Sequence, residues 1–294
     1  MTVTFAVVAT PGPTQESWVE QVRMLEDLAY ASVLVPDTLW TVSPFPALAA
    51  AAVAAPRIRL RTWVLAAPMR SPAAVVREAK ALQQLSDGRF ELGIGTGRPG
   101  ADDEAARLGM PWGSASERIA QLETVVTAVR EEVEPRPPVV MAASGARSLA
   151  VAGRVADRVA VALSAEASPA ELEAAVSRVR ESAPDVSLSL QAFGVGDRVP
   201  EYLARQGYSG SALREAGSVV MLPGDPAAIA DQAREQRRVV RRRRGRRPVR
   251  LRSRGRAGLT TGVGVRGAQR ISAGWAVDSR TDSHRSPSGA TWFR

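Results

Sequence analysis

The 294-residue chain contains no cysteine and a single histidine, His284. Without cysteine there is no disulfide, no thiolate nucleophile and no thiolate-ligated zinc, and one histidine supplies neither a His-based metal site nor a Ser-His triad. Long apolar runs are missing too. The longest, an alanine-rich stretch near 45–55, is too short to cross a bilayer. The opening MTVTFAVVATPGP has no charged leader region. A soluble, cytoplasmic chain with no metal and no membrane partner is expected.

Acidic groups run out toward the carboxyl end. Residues 237–294 carry 17 basic and 2 acidic side chains, a net of +15, whereas residues 1–236 carry 22 basic and 28 acidic, a net of −6. The run RRVVRRRRGRRPVRLRSRGR draws all its charge from arginine, with no lysine and no aromatic. Such a run can grip phosphates on nucleic acid or an anionic membrane by counterion release. A composition of Arg, Gly, Ser and Ala is also what a GC-rich gene yields in a shifted reading frame. The second account is preferred: 237–294 is expected to be a disordered or out-of-frame tail, and no nucleic-acid partner is expected despite its charge.

What the first 236 residues do have is a recurring unit, most legible in LSDGRFELGIGTGRPG at 85–100. A helix opens at Ser71-Pro72, a side-chain cap followed by proline at the first helical position, and carries Val75, Ala79, Leu82 and Leu85 on one face. An Asp87-Gly88 turn follows, then a buried strand at 90–95 and the exit glycines Gly97 and Gly100. Those glycines let the backbone bend or pass close to a neighbour.

The same alternation recurs along the chain. Strands are expected at 3–9, 33–35, 58–65, 90–95, 138–143, 159–163 and 188–193. Helices are expected from a Ser17/Glu20 capping box, over 46–55, from Ser71, over 116–134, from Gly145, and from a Ser168/Glu171 capping box. Strands separated by helices must run parallel. Seven in about 236 residues suits a (β/α)8 barrel better than an open doubly wound sheet.

On a barrel the loops that follow the strands build the active site. Those loops hold Asp37-Thr38, Ala66-Ala67, Thr96-Gly97-Arg98 and Ser144-Gly145-Ala146-Arg147. The amides at 144–147 open a helix and can hold a phosphate, although a strand-to-helix turn capped by Ser144 is the plainer reading. Gly95 to Gly100 matches G-x-G-x-x-G, but it follows the fourth strand, contains Pro99 and has no clear helix before Ser116. The dinucleotide fingerprint is therefore rejected. Trp40 and Trp63 are candidates to wall a ring, or are core.

The ordered blocks at 35–52, 57–102 and 137–157 resemble the bacterial-luciferase-like oxidoreductases, specifically the actinobacterial branch that uses a deazaflavin, coenzyme F-420. The resemblance covers residues 1–236. It implies a TIM barrel that binds coenzyme F-420, with FMN as the alternative, and exchanges hydride with a small organic substrate. It places the coenzyme against Asp37, Thr38, Ala66, Ala67, Thr96, Gly97, Arg98, Ser144, Gly145, Ala146 and Arg147, with a non-prolyl cis peptide at Ala66-Ala67. Catalytic candidates reduce to Thr38 and Trp40. Thr38 stands where many relatives carry histidine, so their proton transfer does not carry over. Arg98 stands near the position of a glutamate that sugar-phosphate-oxidising relatives use, which argues against that substrate.

The resemblance further implies that the helix from Asp225-Pro226 should lead into an eighth strand, where this chain turns basic instead. A barrel incomplete at its eighth strand and helix is expected, destabilised unless 248–251 or 262–265 fills the gap. Three readings stay open: a deazaflavin-dependent oxidoreductase, which is preferred; an FMN-dependent monooxygenase; and a non-catalytic degenerate barrel with an arginine-rich arm. Homo-oligomerisation is left open.

Overall fold

The computed structural model describes residues 4–241. The expectations for 248–251, for 262–265 and for an out-of-frame or nucleic-acid-binding end fall outside these residues.

The chain opens with β1 (Ala6–Val8), α1 (Gln15–Asp27), β2 (Ser32–Val35), α2 (Pro44–Ala54), β3 (Arg59–Thr62) and β4 (Leu65–Ala66). A 3-10 turn (Ala67–Met69) leads to α3 (Pro72–Leu85), β5 (Phe90–Gly95), α4 (Asp102–Arg107), α5 (Ala115–Glu132), β6 (Val139–Ala143), α6 (Ala146–Val155) and β7 (Arg158–Val161). Then come α7 (Pro169–Ser182), β8 (Ser187–Leu190), β9 (Gly194–Val195), α8 (Glu201–Arg205), α9 (Gly210–Glu215), β10 (Met221–Leu222) and α10 (Pro226–Arg241).

All pairings in the main sheet are parallel, in the order β1-β2-β3-β5-β6-β7-β8, with β4 continuing the β3 position beside β5. Val8 of β1 and residues just past β7 and β8 line one cleft, so the sheet is rolled and its two ends approach. Among the described residues no eighth strand joins β8 to β1. β9 and β10 instead form a separate parallel pair. This is an incomplete TIM barrel of the expected kind.

Alternation sorts the side chains into two cores. Val7, Val33, Val35, Leu60, Phe90, Leu92, Ile94, Val139 and Met141 point outward to the helices and belong to one large buried cluster with Leu25, Leu48, Leu82, Leu122 and Leu149. Val8 and Leu34 point inward and meet Trp63 and Tyr202. Deeper inside the barrel, Arg61 donates to Glu91 (Nε to Oε2, 2.6 Å) and Arg59 adds a contact at 3.0 Å. Burial pulls the Arg61 pKa down. It pushes the Glu91 carboxyl up, but the Arg61 charge and hydrogen bonds outweigh this and hold Glu91 below the ordinary carboxylate range.

The helix starts are chemically explicit. Ser71 caps α3, and both Ser114/Glu117 on α5 and Ser168/Glu171 on α7 are reciprocal capping boxes, each cap contributing about 1 kcal/mol. α1 departs from expectation. Thr14, not Ser17, is its cap, because the hydrogen bond runs from Ser17 N–H to Thr14 Oγ1 (3.2 Å), one turn earlier than the Ser17/Glu20 box. Leu85 also departs, being 53% exposed at the last turn of α3. The Asp87-Gly88 turn holds as read: both residues have positive φ, +49° and +77°, and Gly88 N–H closes on Gln83 O at 2.9 Å. Arg89 then ties the turn to the end of α2 through the carbonyls of Ala52, Ala55 and Ile58 (2.7–2.9 Å).

The expected third strand breaks in two. β3 ends at Thr62 and a cis peptide joins Trp63 to Val64, not Ala66 to Ala67. Pairing with β5 resumes only at Leu65↔Ile94. At the break the Thr62 hydroxyl replaces the missing ladder: it accepts from Gly93 N–H (3.0 Å) and donates to Gly93 O (2.7 Å). Gly93 is required there, since a Cβ would stand 1.8 Å from Thr62 O. The expected seventh strand, 188–193, ends at Leu190, and α4, α8 and α9 were not expected.

Candidate active site

A cleft of about 400 Å³ opens at the carboxyl ends of the strands, within the usual range for small-molecule sites. Of the residues singled out from sequence, Asp37, Thr38, Ala66, Thr96, Gly97, Arg98 and Ser144 line it. Ala67 is buried behind Ala66 in the 3-10 turn. Gly145, Ala146 and Arg147 are exposed at the rim, outside the lining. Trp40 is 41% exposed and lies under Arg98 rather than in the cleft wall, whereas Trp63 does line it.

Each charged group in the wall has a partner. Asp37, at the end of β2, takes a two-pronged contact from Arg70 (Nε to Oδ2 2.9 Å, NH2 to Oδ1 2.5 Å), and Arg70 itself lies 5.3 Å over the Phe45 ring. Thr38 Oγ1 shares a hydrogen with Thr41 Oγ1 at 2.9 Å. Glu104, on α4, accepts from Leu39 N–H at 2.9 Å and from the Arg98 guanidinium. Arg98 stacks 4.5 Å over Trp40, and burial lowers its pKa. Arg118, at the start of α5, secures the Thr96 carbonyl (3.2 Å) from outside while lying 4.7 Å over Trp112.

The opposite end of the cleft is the start of α6. α1, α3, α5 and α7 each have a Ser or Thr side chain on a first-turn amide. The Gly145 cap of α6 has none, as is also so at the starts of α2, α4 and α8. Ser144 and Ser148 line the cleft there, the Ser148 hydroxyl donating to Gly145 O at 2.9 Å. Val8, Trp63, Val64 and Ala142 supply an apolar floor, and Phe193 and Tyr202 close the side where β8 ends. Burial raises the Tyr202 pKa, so its phenol keeps its proton at neutral pH.

Sequence reading missed Glu104, Ser148, Phe193 and Tyr202. Ser148 was findable, three residues beyond Gly145 on the same helical turn. Glu104 sits in a three-acid helix start that looks like ordinary dipole matching. Nothing local marks Tyr202, because α8 reaches the mouth only through the tertiary fold.

The sequence matches the family described as luciferase-like monooxygenases over residues 2–267. The chain belongs to this family. The match runs beyond residue 236, where the resemblance read from sequence stopped. An F420-dependent glucose-6-phosphate dehydrogenase of Beutenbergia cavernae is 30% identical over 166 residues, covering 46% of this chain and 48% of the relative. The chain spans about half the length, or less, of the curated relatives it matches.

Two solved structures share the fold. The coenzyme F420 dependent tetrahydromethanopterin reductase from Methanopyrus kandleri gives a TM-score of 0.62 at 18% identity, covering 81% of this chain and 91% of that one. The monooxygenase RslO1 from Streptomyces bottropensis gives 0.61 at 19%, covering 81% and 90%. No described helix of this luciferase-like chain is long and apolar enough to cross a membrane.

Proposed function

We propose that this chain is an oxidoreductase that holds a deazaflavin coenzyme, coenzyme F420, in the barrel-mouth cleft beside a small organic substrate. The observation that carries the reading is the make-up of that cleft: an apolar floor at one end and, at the other, the start of a ten-residue helix with no capping side chain, flanked by Ser144 and Ser148. A planar ring matches the first and a phosphate the second. The F420-dependent names among the curated relatives support the coenzyme assignment.

In this proposal Ser144, Gly145, Ala146, Arg147 and Ser148 hold the coenzyme phosphate, while Ala66, Thr96 and Gly97, with Ala67 behind, border its ring. Bound deazaflavin supplies hydride transfer, which requires of the protein mainly position and electrostatics. Asp37 is pinned by Arg70 and acts as a fixed acceptor and an orienting group for the loop at 36–41. Thr38 Oγ1 can hydrogen-bond a substrate oxygen but titrates nowhere near neutrality, so it positions rather than exchanges the proton. Tyr202 Oη retains its proton and is a donor at the mouth. Phe193 and Tyr202 keep water from the floor.

A fluorescence titration of the purified full-length protein with coenzyme F420 and, separately, FMN tests this. Saturable F420 binding that weakens at least about tenfold in Ser148→Asp, which puts a carboxylate at the phosphate position, is expected. Binding of FMN alone would move the assignment to a flavin monooxygenase on the same scaffold. Binding of neither would refute it.

A further inference from the structure

Three ionisable side chains other than the Tyr202 phenol line the cleft: Asp37, Arg98 and Glu104. Asp37 is matched by Arg70, and Arg98 by Glu104. The second pair is built in more firmly than an ordinary surface bridge. The Glu104 side chain is 6% exposed and is also tied to the Leu39 amide, so it joins the β2 loop to the β5 loop across the mouth. Trp40 holds the other face of the Arg98 guanidinium. A cation fixed between a carboxylate and an indole is committed within the protein. An incoming phosphate would meet two carboxylates and an Arg98 guanidinium whose charge one of them already matches.

We infer that the Arg98–Glu104 pair sets the charge preference of this site, so that the cleft takes an uncharged, largely apolar small molecule and turns away its phosphorylated counterpart. This rests on the reading of the cleft as a substrate site, but not on which coenzyme serves it. It separates the chain from what the curated relatives are named for, since a sugar phosphate carries its charge to the mouth. Arg98 and Glu104 are specificity-determining residues acting through the field at the mouth. Neither is required to touch the reacting atoms.

The test uses a matched pair, cyclohexanol and cyclohexyl phosphate, titrated calorimetrically into the full-length protein with coenzyme F420 present and, without it, in the Ser148→Asp background, where the rim of α6 rejects phosphate. Cyclohexanol is expected to bind at least about tenfold more tightly than cyclohexyl phosphate. Glu104→Gln keeps an acceptor for the Leu39 amide but releases the Arg98 charge, and should shrink or reverse that ratio. Arg98→Ala leaves the carboxylate unmatched and should widen it, and the double variant should return near the starting ratio.

Equal binding of the two probes, or a ratio unmoved by both single variants in protein whose melting is intact, overturns the inference. Should Glu104→Gln fail to fold, Arg98→Ala alone decides: a ratio no wider than wild type is refuting. Failure of F420 to bind while the ratios follow the series sinks the coenzyme assignment and leaves the charge selection standing.

Discussion

Replacing Thr62 by valine removes one hydroxyl and keeps the shape of the side chain, which makes it a sharp probe of the strand break beside the cleft. Thr62 is fully buried, and its oxygen satisfies both the N–H and the C=O of Gly93. Valine orphans both groups, at about 1–3 kcal/mol each. Taking about 4 kcal/mol for the two, and about 2–4 °C per kcal/mol for a domain of this size, the thermal midpoint should fall by about 8–16 °C. Thr62→Ser keeps the hydroxyl and loses one methyl, about 1 kcal/mol, so it should melt within about 2–4 °C of wild type. Calorimetry or circular dichroism melts at neutral pH give the comparison. A valine variant as stable as the serine variant would show that the hydroxyl does not replace the ladder at the break.

Glu91→Gln should destabilise the protein at neutral pH by about 3–5 kcal/mol, because Arg61 is left buried beside an uncharged partner. Since the Glu91 pKa is depressed on folding, its contribution is complete above the unfolded value of 4.5 and is lost as pH falls through the lower folded value. Denaturant titrations of wild type and variant should therefore converge in strong acid, and a gap constant from pH 7 to pH 2 would refute this. Ending the chain at 236 deletes the Val240 carbonyl, which accepts from Arg180 Nε at 3.3 Å and NH2 at 3.1 Å. A chain ending at 236 should melt measurably below one ending at 241, and identical melts would place the domain end at the composition break.

Legibility followed locality. The strand at 90–95 and the helix starts at Ser71 and Ser168 are readable because their signals, an apolar run, a cap or a box, lie within four residues of the event. The Thr62–Gly93 exchange links residues 31 apart in sequence, and neither residue type announces it, so the third strand read as continuous. Thr14 is masked in the sequence by Ser17, which with Glu20 mimics a box one turn late. At the mouth, Asp37, Thr38, Arg98 and Ser144 are found by position after a strand. Their partners are not, since Arg70 lies 33 residues beyond Asp37 and Glu104 reads as part of an ordinary acidic helix start.

The break after Thr62 also frees the chain next to it. Trp63 N–H still bonds Val35 O at 2.7 Å, and past that rung neither β3 nor β4 offers β2 a partner. Residues 36–43 therefore leave the sheet carrying no ladder of their own, held by the Arg70 and Glu104 side chains and by a local turn in which Thr41 N–H donates to Thr38 O at 3.3 Å. Insertions or exchanges in that segment can reshape the mouth without shifting any strand register. In this architecture ligand preference can drift, or be engineered, separately from the stability of the frame.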